Sequence, residues 1–435
     1  MYFVKYFSNS SVLKVRKGEW VGSTGKKITD VINIGIGGSH GGPEMVNNAL
    51  KNQAGSITIH TVSNVDGAHL ARVLGRTKGA ESCLFIITSR NMSTTETVLN
   101  ASTAKDWCKR HMKKEFDVAK HFVAVTNNNT TASEFGIPAD NCFEFWDNVP
   151  GRFSIWGSVG LSVAINIGWG NWEQFLEGGN NMDNHFKNAP LEENMPMIMG
   201  LLGCWYRNFL KHSTHAILCY DEALSKFSHY YQQVDMESSG KHVTLEGEEV
   251  DYETGHILWG ETGTNGQHAF HQLLHQGTEI VPADFVCFAK CIQDEEFIPK
   301  RHHQVLLSNC LAQTEVLMKG RTPQDVKEAE PDCRGDLLKH KTYQGDRPTN
   351  TLIFRKLTPY ALGNLMALYE HKVFVQGAIW GINSFDRFGV DLGMANADTI
   401  EPLFDENTTE YGDRDSSTVG LIRYIKELQV FNPFA

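Results

Sequence analysis

The chain has 435 residues, of which 41% are hydrophobic, so it is long enough and apolar enough to fold as two or three globular domains. Acidic residues outnumber basic ones by 51 to 40. The resulting net charge of -11 argues against nucleic acid or an anionic membrane surface as the main partner. A phosphorylated metabolite is still allowed, because the local charge of a pocket can oppose the charge of the whole protein.

The cysteines and the N-terminal segment indicate a compartment. The nine cysteines are scattered and include no C-x-x-C pair, a pattern typical of reduced thiols. The segment from Met1 to Phe7 has no apolar run of signal-peptide length, and no stretch approaches the ~18 apolar residues that a membrane span needs. We therefore expect a cytoplasmic protein without a membrane partner.

The first half of the chain alternates apolar runs with helical stretches. Residues 29–36 predict a buried strand, Gly37 to Ser39 a turn, and Pro43 to Leu50 a helix opened by proline. Later runs predict strands at 56–63, 83–88 and 122–126, and a helix at 94–110. Such alternation predicts an α/β fold with a doubly wound parallel sheet. Ligands of such sheets bind outside the carboxyl ends of the strands, so we expect them at the turns after residues 36 and 88.

The second half repeats this alternation after a glycine-rich stretch. Glycines and asparagines at 178–181, with two later prolines, predict a connection between two lobes. Helices are predicted at 196–210, 268–275, 305–319, 358–375 and 386–404, and strands at 215–220, near 257–259 and within 280–288. The expected division is a divergent segment 1–13, a first α/β domain 14–177, a connection 178–195, a second α/β domain 196–385 and a C-terminal helical segment 386–435.

Two turns have the composition of ligand-binding loops. In the turn from Gly35 to His40, histidine stands where a dinucleotide fingerprint has its third glycine, which weakens a nicotinamide interpretation. A tight turn without ligand is the alternative. The segment from Ser89 to Glu96 opens a helix, with Ser93 and Glu96 spaced as a capping box. Its backbone N–H groups, hydroxyls and Arg90 would suit a phosphate dianion, and an ordinary capped helix is the alternative.

Three further positions carry groups suited to chemistry. Arg152 precedes an apolar run, so its guanidinium needs a partner, and a structural ion pair is the alternative. Glu237 lies two residues before a serine-glycine pair, and a solvated surface carboxylate is the alternative. His268, His271 and His275 would share one helical face. Zinc binding is conceivable there, but no HExxH motif or cysteine set supports it, and packing histidines are commoner.

Three motifs closely resemble those of the glucose-6-phosphate isomerase family and occur in its order. They are Asp147-Asn148-Val149-Pro150-Gly151-Arg152-Phe153-Ser154, the segment from Gln232 to Lys241, and Gly263-Thr264-Asn265-Gly266-Gln267-His268. The resemblance extends from about Lys14 to about Glu427. It implies two lobes of the sugar-isomerase type and interconversion of glucose 6-phosphate and fructose 6-phosphate through a cis-enediol, without metal or organic cofactor.

The resemblance also implies roles for single residues. Glu237 would shuttle the proton between C1 and C2, Arg152 would stabilise the enediolate, and His268 would open the sugar ring as a general acid. In the family this histidine comes from the partner subunit, so the resemblance implies a homodimer. The residues it assigns to binding of the phosphorylated hexose are Ser39, Ser89, Arg90, Asn91, Thr94, Gln233 and Arg387.

Two features depart from the family pattern. Met394 stands at the position of the family's catalytic lysine, and Arg387 at that of a glutamine. A thioether cannot donate a proton, so ring opening would depend on His268, and losing such a group commonly costs around 10²–10⁴-fold in rate. Residues 1–11 do not resemble the helical sequence that precedes this region in the family. We expect exposed apolar surface there.

Met394 leaves open a function of a different class. A chain that keeps the phosphate loop but lacks catalysis would act as a sugar-phosphate-binding sensor or decoy. A third possibility is partner binding like the extracellular signalling attributed to the family, which the lack of a signal peptide disfavours.

Overall fold

A computed structural model describes residues 7–145, 148–149, 151–292 and 299–430. The chain forms two compact units, one ending at Ser384 and one beginning at Phe385. Residues 1–6 of the predicted N-terminal segment lie outside the described residues, as do Asp147 and Pro150 of the arginine motif.

The first unit contains all nine named strands. Its first half consists of α1 Asn9–Arg16, β1 Asp30–Ile34, α2 Gly38–Ala49, β2 Thr58–Val62, α3 Gly67–Leu74, β3 Cys83–Thr88, α4 Thr95–Met112, α5 Val118–His121, β4 Phe122–Val125, α6 Asn129–Phe135, β5 Cys142–Phe143, α7 Leu161–Ile167 and α8 Trp169–Asn188. Its second half consists of α9 Met195–Cys204, β6 Thr214–Tyr220, α10 Phe227–Ser239, β7 Ile257–Trp259, α11 His271–Gln276, β8 Ala283–Phe288, α12 Lys300–Lys319, α13 Pro323–Ala329, α14 Gly335–His340, β9 Thr349–Phe354 and α15 Pro359–Trp380.

The strands form two parallel sheets with the same order at their centres. The first has the order β2-β1-β3-β4-β5 and the second β7-β6-β8-β9, and every strand pair within them is parallel. In each sheet the second strand lies on one side of the first and the third strand on the other. The strand order therefore reverses between β1 and β3 and again between β6 and β8. The predicted α/β fold with two doubly wound parallel sheets is confirmed.

The central strands of each sheet are buried on both faces, as a doubly wound sheet requires. Val31 of β1 packs in one apolar core and its neighbour Ile32 in another, since side chains alternate along a strand. In the second sheet Ile217 and Leu218 are divided in the same way. Val31 and Ile217 belong to the same core. That shared core therefore lies between the two sheets.

The glycine-rich stretch predicted as a connection between lobes is helical as far as Asn188, where α8 ends. A Cβ at Gly178 would lie 2.1 Å from the carbonyl oxygen of Tyr360 in α15, and one at Gly179 would lie 2.8 Å from the Trp156 ring. The two glycines thus allow close packing of α8 rather than a turn. The boundary between the two predicted α/β domains stays a prediction.

The helix α2 begins at Gly38, five residues before the predicted start at Pro43. Proline has no N–H for the carbonyl one turn earlier, that of Ser39. This carbonyl accepts a hydrogen bond from Asn33 Nδ2 at 3.1 Å instead. The helix therefore tolerates an internal proline.

The second unit is helical in its described part. It contains α16 Phe388–Ile400, a short 3-10 turn Glu401–Phe404 and α17 Ser416–Val430. The helical prediction for 386–404 is confirmed. In the described ranges of both units, no helix combines the length and apolar composition needed to cross a bilayer.

Candidate functional site

The site begins where the strand order of the first sheet reverses, at the carboxyl ends of β1 and β3. Buried Asn33 accepts a hydrogen bond from Thr88 Oγ1 at 2.9 Å and donates one to Ser39 O at 3.1 Å. A Cβ at Gly35 would lie 2.9 Å from both Ser39 Cβ and Thr88 O. The turn after β1 therefore touches the end of β3, which places Ser39 beside the segment that begins at Ser89.

The turn from Ser89 to Thr94 is held by backbone contacts with the next strand. Ser89 N donates to Val125 O at 3.1 Å, and Arg90 O accepts from Asn127 N at 2.8 Å. The Asn91 carbonyl accepts from Asn128 Nδ2 at 3.3 Å. These contacts fix the backbone of the turn in front of α4.

The predicted capping box at Ser93 and Glu96 is wrong. The N-cap of α4 is Thr94, and its side chain makes no capping hydrogen bond. Its Oγ1 instead lies 3.5 Å from Ser89 Oγ. The first N–H groups of α4 thus receive no acceptor from the N-cap side chain.

Arg152 lies at the centre of a buried set of contacts. It belongs to a short 3-10 helix, Gly151–Trp156, and its side chain is only 2% exposed. Its Nε donates to Ser238 Oγ at 2.7 Å, and its Nη2 donates to the carbonyl of Ser384. Its Nη1 lies 3.4 Å from Glu237 Oε2. The contact with Glu237 agrees with both interpretations of Arg152, because it is an ion pair and because Glu237 is the candidate base.

Glu237 is oriented by its neighbour one helical turn earlier. Gln233 Nε2 donates to Glu237 Oε2 at 3.0 Å, and this same oxygen faces Arg152. The other oxygen, Oε1, makes no contact of this kind within the part of the chain that the structure describes. The Glu237 side chain as a whole is 18% exposed, so it is not sealed off from solvent.

The glycine turn after β1 packs directly on this group. A Cβ at Gly38 would lie 1.9 Å from the Gly151 carbonyl carbon, and one at Gly37 would lie 3.2 Å from Gln233 Nε2. Gly37 also has a φ of 58°, a conformation that favours glycine. Only glycine lets the two backbones approach so closely. The structure therefore brings Ser39, Arg152, Gln233 and Glu237 into one group, with the Ser89 turn beside Ser39.

His268 is not part of this group within one chain. It is exposed and ends a 3-10 turn, Asn265–His268, close to the carboxyl end of β6, where Gly263 N donates to Cys219 O at 3.0 Å. Glu237 lies near the opposite end of that sheet, roughly 20 Å away along seven-residue β6. No hydrogen bond or ion pair between described residues joins His268 to the Glu237 group.

The predicted continuous helix over 268–275 is wrong, because it divides into the 3-10 turn and α11 at Phe270, which has φ -136° and ψ 0°. His271 Nδ1 and His275 Nε2 both contact Gln313 Oε1, at 3.0 and 2.8 Å. Burial lowers the pKa of His271. Among the described residues, no group of three or more His, Cys, Asp or Glu side chains could hold a metal ion.

Arg387 and Met394 belong to the second unit. Arg387 is the N-cap of α16, and its Nε lies 3.6 Å from Asp391 Oδ1. Met394 lies within the same helix, seven residues later.

Sequence reasoning missed the groups that hold Arg152 and α10. Ser238 follows Glu237 directly, and Tyr230 Oη donates to Arg152 O at 2.8 Å. Asp235 and Lys372 form an ion pair at 3.7 Å, and both side chains are 2% exposed. In the sequence, this pair shows only as Asp235 lying two positions before Glu237. That spacing does not predict a partner as distant in the chain as Lys372 on α15.

Comparisons with known proteins agree with this architecture. The family model of phosphoglucose isomerase matches residues 4–422. A crystal structure of a glucose-6-phosphate isomerase from Chlamydia trachomatis is 31% identical, with a TM-score of 0.79, and the match covers 96% of this chain and 76% of that chain. A hypothetical protein from Thermus thermophilus shares the fold at 23% identity and a TM-score of 0.71, over 90% of this chain and 86% of that one. The chain belongs to the phosphoglucose isomerase family.

Proposed function

We propose that the chain interconverts glucose 6-phosphate and fructose 6-phosphate by ring opening and proton transfer through a cis-enediol. The observation that carries the proposal is the Glu237 carboxylate, held by Gln233 and 3.4 Å from the buried guanidinium of Arg152. A carboxylate can take the proton from carbon, and a fixed cation beside it can stabilise the negative charge that then develops on oxygen. Family membership supports the same reaction.

The substrate phosphate would bind at the reversal point of the first sheet. Ser39, Ser89, Arg90, Asn91 and Thr94 supply hydroxyls, an amide and a guanidinium there, beside the N-terminus of α4. Such a helix start favours anions, because its N–H groups point outward and its dipole is positive. Gln233 would bind the sugar. The reaction requires neither a metal nor an organic cofactor.

His268 would open the ring in a second copy of the chain. It is exposed, and it lies at the end of the second sheet away from Glu237. A cytoplasmic homodimer with His268 crossing the interface is therefore part of the proposal. The cytoplasmic location is consistent with the nine free cysteines, of which only Cys291 is not buried.

Met394 favours a second candidate function, the sugar-phosphate sensor or decoy. The helix that carries it offers no ammonium at that position, so ring opening would lack one proton donor. Calorimetry would show that such a protein binds fructose 6-phosphate, and the protein would form no glucose 6-phosphate.

A dehydrogenase-coupled assay of the parent chain, with Met394→Lys measured beside it, separates the two functions. Turnover of fructose 6-phosphate by the parent supports the isomerase. Binding without turnover in the parent, with turnover in Met394→Lys, supports the sensor. Folded proteins that neither bind nor convert the sugar phosphate would contradict both.

A further inference from the structure

The residues behind Glu237 suggest how its position is set. We propose that the buried ion pair between Asp235 and Lys372 positions the Glu237 carboxylate for proton transfer, an inference that rests on the proposed function. The pair lies 3.7 Å apart, on the side of α10 away from the candidate site.

Helix geometry links Asp235 to Glu237. The two residues are two positions apart on α10, so their side chains point about 200° apart around the helix. Glu237 faces Arg152 while Asp235 faces Lys372 on α15. Anchoring one side of the last turn of α10 therefore fixes the rotation of the other.

Rotation of the last turn of α10 would also move Ser238, a second residue of this turn that contacts Arg152. Its side chain is fully buried and accepts a hydrogen bond from Arg152 Nε at 2.7 Å. A small rotation of the last turn would move the Glu237 carboxylate and the Ser238 hydroxyl together. Arg152 would then lose its alignment with both.

Lys372 is itself held in place by α15 and the second sheet. Tyr369, one turn before it, donates from Oη to Asp284 Oδ2 at 2.9 Å. Asp284 of β8 also accepts from Asn350 Nδ2 at 2.8 Å and lies 2.9 Å from His215 Nε2. Tyr231 Oη of α10 donates to Met366 O of α15 at 2.7 Å. The anchor for Asp235 is therefore a rigid part of the fold.

Stability alone does not explain two charges in this place. Removing both charges from water costs free energy, and well-packed apolar residues of similar volume are often at least as stabilising. Burial raises the pKa of Asp235, and the Lys372 ammonium opposes that rise. A directional ion pair offers what an apolar contact lacks, which is a preferred geometry for the turn that carries Glu237.

The test is the double variant Asp235→Asn with Lys372→Met, which removes both charges and nearly keeps the volumes. We expect a Tm close to that of the parent, a kcat lower by about 10–100-fold and a KM that changes little, since a 1 Å misplacement can cost ~10² in rate. A double variant with the parent's Tm and kcat would overturn the proposal. If it does not fold, Asp235→Asn alone replaces it. This variant leaves the buried Lys372 ammonium without its counter-charge, so we expect a lower Tm. Its kcat is therefore measured well below that Tm, where a kcat lower than the parent's with little change in KM supports the proposal and the parent's kcat overturns it.

The matched control is Asp30→Asn with His60→Gln, which alters a contact of 2.9 Å at the edge of the first sheet between side chains that are 2% and 12% exposed. A purely structural pair would behave like this control, in which we expect kcat to follow the folded fraction. Crystal structures of the parent and the Asp235→Asn, Lys372→Met variant keep the two proposals separate. If the parent shows no turnover, the proposed function fails. The inference is then tested by the position of the Glu237 carboxylate relative to Arg152. A Glu237 carboxylate displaced from Arg152 in the variant supports the inference, and an unmoved one overturns it.

Discussion

The two sheets share a strand order but reach the candidate site from opposite ends. The first sheet contributes the turns at the carboxyl ends of β1 and β3, where Ser39 and Ser89 lie. The second contributes α10, which runs back along β7. Ser228 Oγ near its start donates to Gly260 O just after β7, at 2.8 Å, and a Cβ at Gly255 just before β7 would lie 3.0 Å from Ser239 O near its end. Glu237 therefore lies toward the amino end of the second sheet.

This difference shows what the carboxyl-end rule can find. The rule located the phosphate-binding candidates, because they follow strands directly. It could not locate Glu237, which reaches the site through packing of one lobe against the other. The sheets also differ in what they bury, since the amino end of the second carries Asp284 and His215 as a contact of 2.9 Å. Substitutions at the two ends should therefore have separable effects.

The largest expected effect comes from the second sheet's contribution. Glu237→Gln keeps the shape of the side chain and removes its basicity, so we expect kcat to fall by around 10²–10⁴-fold with sugar-phosphate binding retained. Coupled turnover and calorimetry measure the two quantities. Exposed Glu246→Gln is the control and should match the parent. Full turnover in Glu237→Gln would rule out this base.

Arg152→Lys tests the contact between the two contributions. Lysine keeps the charge but lacks the forked guanidinium with which arginine contacts Ser238, Ser384 and Glu237 at once. We expect a loss in kcat of about 10²-fold, comparable to losing one transition-state donor. Arg76→Lys, at an exposed position, serves as the control. Equal kcat in the two variants would remove Arg152 from the reaction.

Asn33→Ala tests the end of the first sheet. It removes the hydrogen bonds that join Thr88 Oγ1 and Ser39 O, leaving the buried Thr88 hydroxyl and the half-buried Ser39 carbonyl without that partner. We expect the free energy of unfolding to fall by about 1–3 kcal/mol and KM to rise more than kcat falls, because the turns at Ser39 and Ser89 separate. Denaturant unfolding and steady-state kinetics check both. A change in kcat alone would place Asn33 with the Glu237 group instead.

The smallest expected effect is an acid sensitivity at the amino end of the second sheet. His256 is 4% exposed, and burial lowers its pKa to about 2. The folded protein then keeps it neutral while the unfolded chain binds a proton near pH 6.5, so its contribution to stability is fully present above that value and is lost progressively as pH falls from there toward 2. Between pH 7.5 and 5.5 this amounts to about 1.4 kcal/mol.

His256→Gln removes this titration. The difference in unfolding free energy between parent and variant should therefore change by that amount between the two pH values. A difference that does not vary with pH would show that His256 takes up its proton in the folded state.

Local sequence patterns predicted four of the five strands of the first sheet, because apolar runs such as 83–88 are buried on both faces and bounded by polar turns. The two-residue strand β5 was missed, since it is too short to show a pattern. They failed at Gly178 and Gly179, where glycine serves helix packing and not a turn. Strand β9 was missed, since its residues alternate between half-buried and exposed and contain polar side chains.

Motifs named most of the candidate site, but distances within it came only from the fold. Glu237 and Arg152 are 85 positions apart in the sequence, and nothing in either motif shows that their side chains meet. The partners Ser238, Ser384 and Lys372 act through buried geometry, for which a single sequence carries no signal. Turns are predictable from the sequence because their residues are adjacent in the chain. Buried ion pairs are not, because their residues are distant in the chain.

Deuterium labelling of the sugar in heavy water tests the proton shuttle most directly. A proton carried by the Glu237 carboxylate can exchange with solvent before it returns to carbon. We expect the parent chain to introduce deuterium at C1 of fructose 6-phosphate or C2 of glucose 6-phosphate, detected by NMR, and Glu237→Gln to introduce almost none. Labelling by Glu237→Gln at the parent's rate would contradict the central claim, as would a folded parent that binds the sugar phosphate and leaves it unlabelled and unconverted.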